Sequence, residues 1–218
     1  MLKTLVIICV IAFIVVYFTI SILKNLKTEM NSVQIDFSVP NVSPISIKVA
    51  VIGDIHLAEG EDITKFLKLL DEVKSKSPDL VLLVGDYISG RHRIKGIDSH
   101  RRKIINTFKS LDPIPRAVVL GNHDNFTGRE KWFSEFKRLG VDVLENETRI
   151  MNIADVEVCI RGLGDYRSHR FKFVDYPAEC KNLPKITITH DPQGAFESGV
   201  EGLVFAGHTH CGQVSFPI

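Results

Sequence analysis

The feature that most constrains this chain is a pattern repeated along it. Short apolar runs each stop at a small cluster of metal-ligating side chains. Residues 47–52 run into Gly53-Asp54-Ile55-His56, and residues 80–84 into Gly85-Asp86. Residues 117–120 lead to Gly121-Asn122-His123-Asp124, residues 186–189 to His190-Asp191, and residues 203–206 to Gly207-His208-Thr209-His210. Runs of four to six residues rich in Val and Ile predict strands, and their unbroken hydrophobicity predicts burial on both faces. Helical spacing fills the gaps between the early runs: Phe66, Leu67, Leu69, Leu70 and Val73; Ile104, Ile105, Phe108 and Leu111; Trp132, Phe133, Phe136 and Leu139. Gly140 is placed to end the last of these helices. Strand–helix–strand alternation over 47–120 predicts right-handed crossovers and a largely parallel sheet, hence the α/β class. Beyond Val141 the pattern turns strand-rich, at 141–144, 148–153 and 156–160. In open α/β sheets, sites form outside the carboxyl ends of the strands, so five strand ends are expected to converge on one place.

Ahead of this domain, residues 5–23 form a stretch of 19 residues without a charge, preceded by Lys3 and followed by Lys24 and Lys27. At 1.5 Å per residue it just spans a hydrocarbon core. A cleaved signal peptide would have a shorter apolar region and a small-residue cleavage site, which the sequence after Leu23 lacks. The expectation is one transmembrane anchor (1–23), a polar stalk (24–45) punctuated by Pro40 and Pro44, and one globular domain (46–218). The flanking lysines do not settle which side of the membrane the domain occupies. The net charge of +1 gives no global case for a nucleic-acid partner. Of the four cysteines, Cys9 lies in the apolar run, and Cys159, Cys180 and Cys211 show no C-x-x-C spacing, so neither a disulfide framework nor a zinc knuckle is expected.

Singly, each ligand cluster is ordinary. Taken together, in this order and each at a strand end, they resemble the calcineurin-like metallophosphoesterase superfamily over residues 47 to about 213. They are most similar to bacterial membrane-associated members that end in the segment seen here from Gly207 to Gln213. The resemblance implies a four-layer α-β-β-α sandwich and two divalent metal ions. It implies Asp54, His56 and His210 on the first metal, Asn122, His190 and His208 on the second, and Asp86 bridging them. Two cations 3.5–4 Å apart repel, and a shared carboxylate helps to hold such a pair. A mixture of imidazole, carboxylate and amide donors suits Mn, Fe, Zn or Co better than Ca or Mg. His123, which is not a ligand in the family pattern, is expected beside the phosphate as acid or charge stabiliser. Catalysis is thus expected of His123 and Asp86.

The sequence departs from the phosphoprotein phosphatases of this superfamily, which carry Gly-Asp-x-x-Asp-Arg-Gly. Ser89 and Gly90 stand where the Asp and Arg would be, which disfavours phosphoproteins as substrates; Arg91 is one residue late for a phosphate contact. The sequence stops eight residues after His210, where this family usually adds strands, so a trimmed sandwich or a fragment is expected. Two basic clusters, Arg91 to Lys103 (with Arg93, Lys95, Arg101 and Arg102) and Arg167, Arg170 and Lys172 with His169, read either as solvated loops or as a positive rim for anionic lipid. Sparse aromatic interleaving ranks nucleic acid lower, and nothing calls for an obligate protein partner. The expected activity is hydrolysis of a phosphodiester or pyrophosphate of an envelope or nucleotide-linked lipid in a bacterial inner membrane, with UDP-2,3-diacylglucosamine as one candidate. A non-catalytic scaffold on the same fold is the alternative.

Overall fold

The strand β2 (Leu80–Leu83) is buried along its whole length, and its side chains alternate between two cores. Leu80 and Leu82, with Val84 beyond them, enter one core; Val81 and Leu83 enter the other. That is why the run is continuously apolar rather than alternating. The computed structural model describes residues 16, 31–34, 46–58, 63–90, 96–199 and 201–210. β2 lies between β1 (Val49–Ile52) and β3 (Arg116–Val118) in a parallel sheet, with Val49 opposite Leu80 and Val81 opposite Arg116.

On one face of this sheet lie α1 (Ile63–Ser75), α2 (Ile97–Thr107) and α4 (Arg129–Arg138). α1 buries Phe66, Leu70 and Val73 at helical spacing, and α4 buries Trp132 and Phe136. Each such side chain contributes about 1.5–3 kcal/mol when fully removed from water. The predicted helix through Leu111 ends earlier, at Thr107, and tightens into a 3-10 turn over Phe108–Leu111. Pro113 follows, and it keeps Asp112 extended (ψ 141°).

The other face of the sheet packs on a second sheet, ordered β4 (Glu147–Ile153), β5 (Val156–Gly162), β6 (Lys185–Thr189) and β7 (Leu203–Ala206). β4 and β5 are antiparallel; β5, β6 and β7 are parallel. Ile153, Val158, Ile160, Ile186 and Ile188 meet Leu80, Leu82, Ala117 and Val119 between the sheets. Residues 141–144, expected as a strand, make only a single bridge, Val143 to Val118, and an N–H bond from Leu144 to the Val118 carbonyl. Val143 enters the helix-side core and Leu144 the inter-sheet core, so the segment crosses between layers.

The fourth layer differs from a row of helices. Among the described residues, the outer face of the second sheet carries the short helix α5 (Pro192–Glu197), packed on β6, and the connection 163–184. Along β5, Val158 and Ile160 point into the sandwich, and Cys159 and Arg161 alternate with them. Arg161 donates to the Val174 carbonyl (3.0 Å) and stacks on Tyr176 (4.4 Å), whose hydroxyl pairs with Thr187 (2.9 Å). Cys159 is joined by a disulfide to Cys180, Cα to Cα 5.9 Å. This corrects the expectation of unbridged cysteines: 21 residues separate them in sequence, and only the return of the connection over β5 brings them together.

The chain divides into two compact units, Ser38–His208 and Met1–Phe37 with Thr209–Ile218. Both sheets belong to the first. Among the described residues no helix is long and apolar enough to cross a membrane. The predicted anchor, residues 5–23, lies outside the described residues except for Val16, as does the stalk except for the exposed residues 31–34.

Candidate metal centre

In each parallel set the strands run the same way, so the carboxyl ends of β1, β2 and β3 share one edge, and those of β6 and β7 share another. The turns that follow are tied to each other by backbone bonds. Asp54 N–H donates to Gly85 O (3.0 Å), His56 N–H to Asp86 O (3.0 Å), and Gly207 N–H to His190 O (3.0 Å). Asp54, His56, Asp86 and His208 all adopt left-handed φ, at 51°, 46°, 54° and 67°. Non-glycine residues rarely do so, and four together mark a site where packing holds strained backbone in place. Two glycines are required by close approach. A Cβ on Gly85 would lie 2.4 Å from Gly121 N, and one on Gly121 would lie 2.1 Å from Asp86 Oδ1.

Asp86 is the centre of the geometry. It is 2% exposed. Its Oδ2 lies 3.2 Å from His190 Nε2 and 3.5 Å from His56 Nε2, and its Oδ1 accepts the His123 backbone N–H at 2.8 Å. Burial pushes its carboxyl up, but the hydrogen bond and charge of His190 outweigh burial and leave it below the usual range. His190 is fully buried, and its Nδ1 sits 2.9 Å from the Val84 carbonyl. A carbonyl can only accept, so Nδ1 carries a hydrogen and Nε2 is the nitrogen turned to the centre. Burial would lower its pKa, yet the bond to Asp86 and its charge raise it to about 9. His208 Nδ1 is 3.2 Å from the same Nε2, and Asp54 Oδ1 accepts the His208 N–H at 3.1 Å. Asp54 Oδ1 is 3.9 Å from His56 Nε2.

Among the described residues of the Ser38–His208 unit, two clusters emerge, His56–Asp86–His123 and Asp86–His190–His208, each with its ligand atoms within 4.8 Å of one another, and Asp86 belongs to both. Asn122, the first residue of α3 (Asn122–Phe126), is 2% exposed, and its Oδ1 has no hydrogen-bond partner among the described residues. Leaving a buried amide oxygen unpaired costs about 1–3 kcal/mol. A divalent cation satisfies it, and the imidazole, carboxylate and amide donors match a transition metal. The residues present therefore fit the metals implied by the sequence. His210 lies in the other compact unit, with φ 48°. Its place in the ligand set rests on the resemblance.

His123 stands edge-on to His56, with ring centroids 4.7 Å apart. Its Nδ1 accepts the Gly90 N–H at 3.2 Å. In the phosphoprotein phosphatase pattern an Asp carboxylate would orient this ring. Here a backbone donor does, so the neutral ring carries its hydrogen on Nε2.

Three supporting residues were not singled out from sequence. Asp124 is fully buried and accepts N–H bonds from Asp86 (2.7 Å), Tyr87 (3.0 Å) and Gly121 (2.9 Å), which fixes the Asp86 turn. Burial and the charge of Asp86 push its carboxyl up to about 8, against the pull of those donors. Tyr87 bridges the exits of β2 and β3 through its hydroxyl. Asp165, 1% exposed, has Oδ2 on the Ser168 N–H (2.7 Å) and Oδ1 without a partner among the described residues. Gly164-Asp165 after β5 repeats the Gly-Asp signature of the other strand ends, and that signal was available in the sequence.

Half of the first basic cluster is described. Arg101, Arg102 and Lys103 lie on α2. Arg101 is buried, bound to Asp98 and to the Thr127 carbonyl, and Arg102 pairs with Glu135. Arg91, Arg93 and Lys95 lie outside the described residues.

The model of the calcineurin-like phosphoesterase family matches residues 47–212. An uncharacterized metallophosphoesterase of Campylobacter jejuni is 32% identical over 207 residues, covering 90% of this chain and 52% of that protein. A zebrafish (Danio rerio) "transmembrane protein with metallophosphoesterase domain" is 24% identical over 189 residues, covering 79% of this chain and 42% of its own length. The chain thus spans about half the length of the curated relatives it matches. Among solved structures, a 5'-nucleotidase precursor from Thermus thermophilus shares the fold, with TM-score 0.53, 17% identity, and coverage of 75% of this chain and 42% of that one. Strand-end ligand clusters, a carboxylate common to two of them and the match across 47–212 have one explanation: this chain belongs to the calcineurin-like phosphoesterase family.

Proposed function

We propose that this protein is a dinuclear, metal-dependent phosphoester hydrolase of the phosphodiesterase type. Its substrate would be a phosphodiester or pyrophosphate of an envelope lipid or nucleotide-linked lipid, with UDP-2,3-diacylglucosamine as one candidate. The observation that carries the proposal is Asp86 Oδ2, lying within 3.5 Å of imidazoles from two different clusters. In this reading Asp54, His56 and His210 hold one cation, Asn122, His190 and His208 hold the other, and Asp86 serves both. Two bound cations would neutralise phosphoryl charge and make water a competent nucleophile near neutral pH.

The chain's own groups supply the rest. The Val84 carbonyl holds His190 with Nε2 facing inward. Asp124 fixes the Asp86 turn through three N–H bonds. His123 is held by Gly90 with its Nε2 hydrogen available, and would stabilise the charge developing on the departing oxygen through a hydrogen bond from that N–H.

A lipid substrate is supported by the apolar run 5–23 and by the word "transmembrane" in the names of vertebrate relatives. The protein would then be a single-pass protein of a bacterial inner membrane. The Cys159–Cys180 disulfide supports a domain on the oxidising side, because such bonds persist there and are rare in reducing compartments. Purified full-length protein loaded with Mn²⁺ should hydrolyse bis-p-nitrophenyl phosphate, and Asp86→Ala should lose both metal and turnover. Absence of turnover with every divalent transition metal tried would sink the proposal.

A further inference from the structure

The second basic cluster occupies the β5–β6 connection, where residues 166–174 read Tyr-Arg-Ser-His-Arg-Phe-Lys-Phe-Val. Arg167, His169, Arg170 and Lys172 are exposed, and the first acid after them is Asp175. Most other surface arginines of this unit are matched by carboxylates, as in Arg102–Glu135, Arg129–Glu145, Arg138–Glu135 and Arg149–Asp142. Among the described residues, none of Arg167, Arg170 and Lys172 has such a partner. Beside them, Phe173 is 57% exposed and Phe196, on α5, is 70% exposed. The two elements are packed together. The Phe171 ring lies against Gly194 of α5, and Tyr166 lies 5.7 Å from Phe171, centroid to centroid.

This surface is held in shape. The Cys159–Cys180 disulfide closes the connection. Asn146 Oδ1 accepts the N–H of Gly164 (2.9 Å) and of Lys172 (3.0 Å), and its Nδ2 donates to Arg170 O (2.8 Å). A preformed surface spends little ordering entropy on contact.

We infer that residues 166–174, with Phe196 of α5, form a docking surface for the anionic face of a phospholipid bilayer. Unmatched cations are drawn to acidic headgroups, and aromatic rings gain by entering the boundary between headgroup and acyl chain. A soluble polyanion would satisfy the charges but leave Phe173 and Phe196 in water. A bilayer takes up both. The inference does not depend on the metal chemistry, and its test is read without turnover.

The test uses the full-length chain carrying Phe173→Trp. The single native tryptophan, Trp132, is fully buried and gives a constant background. The protein is studied with nanodiscs of brominated phosphatidylcholine, alone or in an equimolar mixture with phosphatidylglycerol. Quenching of the new tryptophan is expected on the mixture, to be weak on phosphatidylcholine alone, and to be reversed by salt. Each Lys or Arg near an acidic surface contributes roughly five-fold in binding, so Arg170→Gln with Lys172→Gln should lower the docked-to-undocked ratio roughly 25-fold. Phe196→Ser should lower it as well. Equal quenching on both lipids, or quenching indifferent to the double neutralisation, overturns the inference. So does a blue shift of emission with inorganic polyphosphate that equals the shift on discs, because it assigns the surface to a soluble polyanion.

Discussion

Removing the hydroxyl of Tyr87 tests whether the strand-end turns that carry the site are held by specific bonds or by packing alone. Tyr87 is fully buried. Its hydroxyl donates to the Val119 carbonyl at 2.7 Å and accepts the Gly85 N–H at 3.2 Å, joining the β2 exit, where Asp86 sits, to the β3 exit, where Asn122 sits. Its ring packs 5.6 Å from Phe108, Trp132 and Phe136. Tyr87→Phe keeps that ring, so the apolar burial is nearly unchanged. It leaves a buried carbonyl and a buried N–H unpaired, at about 1–3 kcal/mol each, partly offset because no phenol hydroxyl need be desolvated. The net loss is about 2–4 kcal/mol. For a unit of this size a kilocalorie shifts the melting temperature by roughly 2–4 °C, so Tm should fall by about 5–15 °C. Circular dichroism melts and urea midpoints on metal-loaded protein would measure it. Burial and the charge of Asp124 hold the phenol well above its ordinary pKa, so the difference should be the same at mildly acid and mildly alkaline pH. A Tm within about 2 °C of wild type would refute the reasoning, since the two backbone groups would then have found other partners.

His123→Ala should lower turnover of bis-p-nitrophenyl phosphate by about a hundred- to a thousand-fold while bound metal, measured by plasma mass spectrometry, stays at the wild-type level. Metal loss would instead make His123 a ligand, which the His56–Asp86–His123 cluster also admits. Metal removal should make stability depend on pH through His190. Its pKa is raised to about 9 in the folded chain, so the stability it contributes is complete below its unfolded value and is lost as pH rises through about 9. Metals need the unprotonated Nε2, so the gap in Tm between Mn-loaded and chelator-treated protein should widen from about pH 6.5 to 9; a constant gap speaks against this coupling. Reducing the Cys159–Cys180 bond, which links residues 21 apart, should cost about 3 kcal/mol of unfolding free energy, and an unchanged urea midpoint in reductant would exclude it.

Much of the site was legible because metal chemistry uses few residue types and this fold places them at strand ends. The glycine-led clusters at Asp54, Asp86, Asn122 and His208 needed no distance information. The supports were not legible. Asp124 and Tyr87 are common residues in a polar stretch, and their value lies in backbone groups 30 or more residues away that sequence does not pair. Arg101 read as part of a basic surface cluster, but α2 turns it inward onto Asp98 and the Thr127 carbonyl. The strand expected at 141–144 failed because its apolar residues serve two different cores, which looks in sequence like a strand buried on both faces.

The sequence by itself determined the α/β class and the parallel first sheet, and it named the seven proposed ligands, because periodicity and strand-end chemistry are local properties. Only the tertiary structure decided that one carboxylate faces two clusters, that Gly90 rather than an acid orients His123, and that the outer layer is a disulfide-closed connection. Those outcomes depend on which strand ends and loops meet, and contacts between residues tens to a hundred positions apart leave no period in the chain.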